Sequence, residues 1–374
     1  MKRFVFQNDR INRNIRNAAM ICLAVLCLVS GTANAKEDEI CIGINASPEV
    51  FPTLYTNMEI LSELSSVKIT WNQSEDRNST ADSILYYVQE EIEKGTDGIL
   101  ICPPNDQVLP MICRMCEEAN VYWGIYFRSI MDENIRAVCE ASPYYIGNVY
   151  EDEETNAYLL TKKMLEQGYR KIALLSEAKW DTTCTAREKG INRALEETDG
   201  AEIVVEARDI RSEEDAAAMT RSILDAYPEV DCVYLAGSTI RKAPEIILDT
   251  ILEERKDGSV GLVTIDFSQS LTEDFESGVL KAAFGVPQFS IDAYYMAVSM
   301  INTLKGFPLS EDAESYCVPG LLVESKEQAE EIADATENPD HLFFAEEEVE
   351  TLLFKWNNPA LNAEEFQRII EENL

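Results

Sequence analysis

The sequence of 374 residues has a single histidine, His341, and only 32 basic residues against 68 acidic ones, a formal net charge of −36. A field of that sign repels the phosphate backbone, so we exclude a nucleic-acid partner. One histidine near the C-terminus argues against catalytic pairs of serine or cysteine with histidine. No G-x-G-x-x-G or G-x-x-x-x-G-K-[ST] motif occurs, which removes the usual nucleotide cradles. We therefore expect no enzyme and no cofactor.

Long hydrophobic runs are also missing, since no segment after residue 35 offers 18 uninterrupted apolar residues. The first 35 residues combine a basic start with an apolar run from Ala18 through Val29 and the small residues Ala33-Asn34-Ala35. This order predicts a secretory signal peptide removed before Lys36, with an uncleaved membrane anchor as the alternative. Its removal leaves 27 basic against 67 acidic residues. We expect an exported product in the periplasm or another extracytoplasmic compartment.

Export makes disulfides possible, but the cysteines form no compact framework. Of the ten, eight follow residue 35, scattered from Cys41 to Cys317. The pair Cys113-x-x-Cys116 lies inside an apolar-periodic run, and no second pair with zinc-ligand spacing accompanies it. We expect a buried helical face here, or a disulfide to Cys139 or another cysteine, and no metal site.

Short apolar runs alternate with helical patterns from Cys41 onward, which is typical of parallel βαβ units. The fold class is therefore α/β, with two similar doubly wound parallel-sheet lobes. In the first half we predict strands at Cys41–Asn45, Val67–Trp71, Gly98–Cys102, Val121–Tyr126 and Tyr144–Gly147. In the second half we predict strands at Lys171–Leu175, Glu202–Val205, Cys232–Leu235 and Val260–Ile265.

The number of elements that remain does not fit a simple extension of the second sheet. A helix at Ile291–Leu304 and a strand near Val318–Val323 indicate that the chain crosses back to the first half. We predict a first lobe of residues 40–147 plus 287–316 and a second lobe of residues 148–286 plus 317–337. Residues 338–374 are acidic and are predicted to form a solvated helical tail.

A set of short motifs occurs in order along the chain: Thr96–Pro104, Glu117–Val121, Tyr145–Asn148, Lys171–Leu175, Ala186–Gly190, Val263–Asp266 and Gly278–Ala282. Together they resemble the type I periplasmic binding proteins, sugar-binding branch, which includes ribose- and galactose-binding proteins and the effector domains of LacI-type repressors. The resemblance covers most of the chain from about Cys41 to Val323.

This resemblance implies a binding protein that captures a small carbohydrate-like ligand between two lobes. It implies a three-segment hinge near Asn148, Val286 and Cys317, and delivery of the ligand to the membrane permease of an ABC importer. The alternative is a ligand-sensing protein that presents the bound sugar to a receptor kinase or chemoreceptor. A repressor would need a basic helix-turn-helix where this chain has a predicted signal peptide.

Candidate ligand-binding residues follow the carboxyl ends of the predicted strands, where open parallel sheets bind ligands. The resemblance assigns Arg128 to an Asp-Arg pair that grips sugar hydroxyls, with Phe127 in place of the acid. It assigns Arg187 and Asp266 to the second lobe. The loops, and a site near the second hinge segment, add further candidates: Trp180, Asn105, Asp106, Ser238 and Gln288.

Each candidate has a simpler interpretation. Arg128 and Arg187 could satisfy nearby carboxylates, Asp266 could cap the following helix, and Trp180 could be a packed surface ring. Two retained arginines suggest an anionic sugar derivative, and a neutral sugar is the alternative. If the arginines bind ligand only, replacing either by methionine should leave stability nearly unchanged.

Overall fold

The structure is a computed structural model that describes residues 39–72, 80–255 and 258–373. The predicted signal peptide and its cleavage point lie outside these ranges. Among the described residues, no helix has the length and apolarity needed to cross a membrane.

Twelve strands are formed in the described ranges. In chain order they are β1 Cys41–Ile44, β2 Lys68–Trp71, β3 Gly98–Ile101, β4 Tyr122–Phe127, β5 Tyr145–Glu151, β6 Lys171–Ser176, β7 Glu202–Arg208, β8 Cys232–Leu235, β9 Gly261–Ile265, β10 Leu280–Gly285, β11 Glu314–Val318 and β12 Leu321–Val323. They build two six-stranded sheets, ordered β11-β5-β4-β3-β1-β2 and β12-β10-β9-β8-β6-β7. Only β12 runs antiparallel to its neighbour within the described part of the chain.

Helices connect the strands and cover both sheets. They are α1 Pro52–Ser65, α2 Ala81–Lys94, α3 Leu109–Ala119, α4 Glu133–Glu140, α5 Glu153–Glu166, α6 Thr182–Glu196, α7 Glu213–Ala226, α8 Ala243–Glu254, α9 Leu271–Glu276, α10 Ile291–Leu304, α11 Lys326–Glu337 and α12 Ala363–Glu372, with short helical turns at Asp106–Val108 and Glu346–Leu353. We call the first sheet with its helices the first lobe, and the second sheet with its helices the second lobe. This is the predicted two-lobed α/β architecture.

The chain passes between the lobes four times. It leaves the first sheet after Glu151, returns between Gly285 and α10, and crosses again between Val318 and Leu321. After α11, which packs on the second lobe, it returns to the first lobe before Phe343. Helix α10 packs on β3, β4 and β5, which confirms the predicted return to the first half. Residues 148–151 and 317–318 belong to the first sheet, so the first and third crossings lie a few residues later than the sequence indicated.

Two strands depart from the sequence-based expectation. Strand β10 was not predicted, although it pairs with β9 along Leu280–Phe284. The single strand predicted near Val318–Val323 is two strands, β11 in the first sheet and β12 in the second. The short turn between them carries the third crossing, so a run that reads as one strand joins two sheets.

The expectation of a solvated C-terminal tail was wrong. Apolar side chains of this segment are buried in the same core as α1 and α10: Phe343, Phe344, Val349, Leu353, Phe354, Leu361, Phe366, Ile369 and Ile370. Phe366 packs edge-on against Tyr295 and Tyr316, with ring centroids 5.8 Å and 5.0 Å away. The acidic residues of α12 lie on its outer face, so their density concealed an amphipathic helix.

Candidate functional site

The carboxyl ends of the strands from both sheets meet between the lobes. From the first lobe, Arg128 follows β4, Cys102 follows β3, and Asp292 lies in the first turn of α10. From the second lobe, Arg187 lies on α6 and Asp266 follows β9. Glu151 and Glu153 flank the first crossing, at the end of β5 and the start of α5. This is the edge at which open parallel sheets bind ligands. We call these seven residues the interlobe cluster.

Four non-glycine residues near this edge have left-handed backbones, and two of them directly adjoin the strands of the cluster; the other two are Asp209 and Ser290. Phe127, the last residue of β4, has φ 67°, and Asp266, the first after β9, has φ 72°. Left-handed φ is uncommon for non-glycine residues, and each such position costs about 1–3 kcal/mol. The strain lies at equivalent places in the two lobes and sets the directions of Arg128 and of Asp266 itself. Strain of this kind is concentrated at ligand-binding sites.

Arg187 is buried in the second lobe and all five of its N–H groups are used. Its guanidinium forms a bidentate pair with Glu153, with both N···O distances 2.6 Å. It also donates to Ala236 O at 2.8 Å and to the two Asp266 carboxylate oxygens at 3.3 and 3.4 Å. The structure therefore brings the predicted residues Arg187 and Asp266 together as an ion pair.

Close packing of two helices makes the Arg187–Glu153 pair possible. Arg187 lies one turn before Gly190 on α6, and Glu153 begins α5. A Cβ atom at Gly190 would lie 2.1 Å from the carbonyl oxygen of Glu154, so only glycine allows this approach. The expectation that Arg187 could be replaced without a loss of stability does not fit this geometry, because breaking a buried ion pair is strongly destabilising.

Arg128 extends from the first lobe to the second. It pairs with Asp181 at 2.8 Å and donates to Thr182 Oγ1 and Pro104 O, both at 3.2 Å, while its Nε has no hydrogen-bond partner. The Cys102 thiol lies beside it, and burial raises the pKa of that thiol, which keeps it neutral. Arg128 thus links the lobes across the cleft.

A second contact between the lobes lies at Arg241. Its guanidinium donates to Val50 O at 2.7 Å and stacks 4.7 Å from the centroid of the Phe289 ring. Phe289, in the second crossing, stacks in turn on Phe51 of the first lobe at 5.5 Å. The lobes are therefore in direct contact both at Arg128 and at Arg241.

Buried carboxyl groups dominate the electrostatics of the interlobe cluster. Burial raises the pKa of Asp292 to about 7, although the backbone N–H groups of Asp292 and Ala293 oppose the shift. Burial, and then the neighbouring charge of Glu153, hold the pKa of Glu151 well above its ordinary value. Burial also raises the pKa of Glu153, an effect that Arg187 opposes.

The other candidates from the sequence have identified contacts. Asn105 Oδ1 accepts from Gln107 N, buried Asp106 accepts from Met131 N and Asp132 N, and Ser238 Oγ accepts from Ile240 N. Asn105 and Ser238 thus stabilise their own loops, and Asp106 stabilises the segment that follows β4. Gln288 Nε2 donates to Asn373 O in the C-terminal segment, and its Oε1 has no partner. Trp180 is 55% exposed.

Sequence reasoning missed Glu151, Glu153 and Asp292. Asp292 is the only charged residue in the otherwise apolar run Ile291–Ile301, a signal that could have been used. The run from Glu151 through Glu154 resembled an exposed acidic turn and gave no such signal.

A cavity of about 130 Å³ adjoins the first crossing, lined in part by Phe127, Arg128 and Glu153.

Solved structures of similar fold are periplasmic and transport-related binding proteins. One is an ABC transporter periplasmic solute-binding protein from Actinobacillus succinogenes 130z with bound D-allose (TM-score 0.65, 17% identity, covering 78% of this chain and 99% of that one). Another, from Bacillus halodurans C-125, holds myo-inositol (TM-score 0.65, 17% identity, 81% and 100%). A third, from Agrobacterium vitis, holds D-fucose (TM-score 0.67, 16% identity, 80% and 99%).

A match between the sequence and a known protein family identifies the family of this chain. No curated protein sequence matches this chain significantly. The family described as periplasmic binding protein domain matches residues 27–306, well over half of the chain. The match confirms the resemblance drawn from the motifs and the expectation of a binding protein instead of an enzyme. The chain belongs to the periplasmic binding protein family, and its two lobes have the type I fold.

Proposed function

We propose that this protein captures a small hydroxylated ligand, a sugar or a sugar derivative, in the cleft between its lobes. The observation that carries the proposal is the interlobe cluster itself. It lies where the carboxyl ends of both sheets meet, with strained backbone at Phe127 and Asp266. The bound sugars and inositol in proteins of similar fold support the same ligand class.

The chemistry of the cluster suits hydroxyl groups. Carboxylates accept hydrogen bonds and guanidinium groups donate them, so the two together can bind vicinal hydroxyls in fixed geometry. Asp266 is the accessible carboxylate, with a side chain 39% exposed and Arg187 fixed behind it. Arg128 faces it from the first lobe. Exposed Trp180, beside Asp181, provides a ring for stacking on the apolar face of a sugar.

Ligand entry requires the lobes to separate, and the three crossings between the sheets are the natural hinge. Each of the three is short. A fourth segment, residues 338–342, joins α11 of the second lobe to the C-terminal segment packed in the first lobe. Opening would break the Arg128–Asp181 ion pair and the Arg241–Val50 hydrogen bond. A bound ligand would offset that loss, since a site shared by two lobes gains its full set of contacts only when closed.

Export and delivery complete the proposal. The basic start, apolar run and small residues before Lys36 support secretion with a mature N-terminus at or near Lys36. The family supports delivery to the permease of an ABC importer. Mass analysis of the secreted protein tests the first point, and retention of residues 1–30 in the membrane fraction would contradict it.

Thermal unfolding with D-allose, myo-inositol, D-fucose and the common hexoses tests ligand capture. A ligand at 100 times its Kd stabilises the folded protein by about 2.7 kcal/mol, which raises the melting temperature measurably. Arg128→Met should weaken binding about ten- to a hundredfold. Arg221→Met is the matched control, because Arg221 is an exposed arginine that pairs with Glu253 and Glu254 at the C-terminal end of α8, away from the cleft. No response to any compound, or equal weakening in both variants, would contradict the proposal.

A further inference from the structure

The charge balance between the lobes argues against an anionic ligand. Five carboxyl groups and two guanidinium groups are gathered there: Glu151, Glu153, Asp181, Asp266, Asp292, Arg128 and Arg187. Both arginines are already paired, Arg128 with Asp181 and Arg187 with Glu153 and Asp266. A carboxylate or phosphate on the ligand would therefore meet an excess of negative charge and would have to displace an existing ion pair. The anionic sugar suggested by the sequence does not fit this arrangement.

Asp292 has no ionic partner among the described residues, although the backbone N–H groups of Asp292 and Ala293 bond its carboxyl group. Its side chain is buried, with 2% of the residue exposed, and its Oδ2 has no hydrogen-bond partner. The charged groups that act on it come from the opposite lobe and the first crossing, namely Asp266 and Glu153. The charge of Asp292 in turn contributes to the raised pKa of Glu151 and, within the first lobe, to that of Cys102. Asp292 therefore lies between the two lobes with an unused acceptor.

Burying an unpaired carboxyl group costs free energy, and two changes relieve the cost. The group can hold a proton, or it can pair with a cation. No basic side chain forms an ion pair with Asp292 among the described residues, and the two nearby arginines are held by other acids. A cation would have to come from outside the protein.

We propose that the ligand carries a protonated amine as well as hydroxyls, and that its ammonium group donates to Asp292. An ammonium offers three donors and one positive charge on a compact group, which matches an unpaired oxygen in an acidic surround. The hydroxyls would bind Asp266 and Arg128. This inference rests on the proposed function, because it assigns the ligand class of the same cleft.

Matched sets of sugars provide the test. Each set contains a hexose, its 2-amino-2-deoxy form and its neutral N-acetyl form, for glucose, galactose and mannose, with 6-amino-6-deoxyglucose added. Affinities are measured by calorimetry on the full exported protein at neutral pH and fixed ionic strength. We expect at least one amino sugar to bind tenfold or more tightly than its hydroxyl and N-acetyl partners.

Two variants identify the group responsible. Asp292→Asn should abolish the preference for the amine, so that in this variant no amino sugar binds more tightly than its matching neutral hexose. Glu91→Gln is the control: Glu91 is a buried carboxylate bound by Thr96 and Lys94, before the amino end of β3 and so at the sheet edge opposite the cleft. It should keep the preference.

The outcomes separate this inference from the proposed function. Binding of neutral hexoses with equal or weaker binding of every amino sugar would overturn the amine proposal and leave sugar capture intact. The amine proposal is also overturned if Asp292→Asn keeps the full preference for the amine. Failure of all the sugars to bind would contradict the proposed function and the amine proposal together.

Discussion

Removing the charge of Asp292 should stabilise the protein at alkaline pH. Burial raises the pKa of this carboxyl from an ordinary 3.8 to about 7 in the folded state. Between these values the folded state holds a proton that the unfolded state has lost, so stability falls as pH rises and levels off above pH 7. At 1.36 kcal/mol per pKa unit, the whole interval corresponds to roughly 4 kcal/mol.

The assay is urea unfolding of parent and Asp292→Asn protein at pH 5.5 and pH 8, without ligand. Between pH 5.5 and the folded-state pKa of about 7, the parent loses stability as pH rises, and the variant does not. The difference in the free energy of unfolding, variant minus parent, should therefore increase by roughly 2 kcal/mol from pH 5.5 to pH 8. Asp292→Ser serves as a second variant, because serine also bonds the helix N-terminus but does not titrate. It should show the same pH dependence with a constant offset. Parallel curves for parent and both variants would refute the argument.

Three further predictions concern packing and the contacts between lobes. Arg187→Met should destabilise the protein by about 3–5 kcal/mol in chemical unfolding, because it leaves Glu153 buried without its partner; a change below 1 kcal/mol would show that the pair is not buried in solution. Phe366→Ala should cost about 3–5 kcal/mol by the same assay if the C-terminal segment is part of the core, and almost nothing if it is solvated. Arg241→Ala should increase the radius of gyration in X-ray scattering of the ligand-free protein, whereas an unchanged radius would mean that this contact does not hold the lobes together.

The alternation of strands and helices could be predicted from the sequence, because strands covered on both faces of a parallel sheet are apolar throughout. Buried strands such as β3 and β8 are continuous apolar runs, and the helices between them carry clear start signals. Thr80 and Asp181, for example, accept hydrogen bonds from backbone N–H groups in the first turns of α2 and α6. Such local signals fix element type well, and with the family resemblance they predicted Arg128, Arg187 and Asp266 near the carboxyl edge of the sheets, where the structure has them.

The remaining features depend on contacts between distant segments. The C-terminal helix has a dense acidic face that hides its apolar face in the sequence. The burial of that apolar face depends on its packing in the core with α10, which is distant along the chain. The pairing of Arg187 with Glu153 depends on the approach of α5 and α6 at Gly190, which no single segment encodes. For the same reason, the sequence suggested free arginines and an anionic ligand where the fold has paired arginines and a buried acid.

The most direct test of ligand capture between the lobes is a crystal structure with the sugar that gives the largest thermal stabilisation. We predict one ligand molecule between the two sheets, with its polar atoms within hydrogen-bond distance of Asp266 and Arg128. A ligand bound elsewhere on the surface, with the cleft between the lobes filled only by protein side chains, would contradict the account.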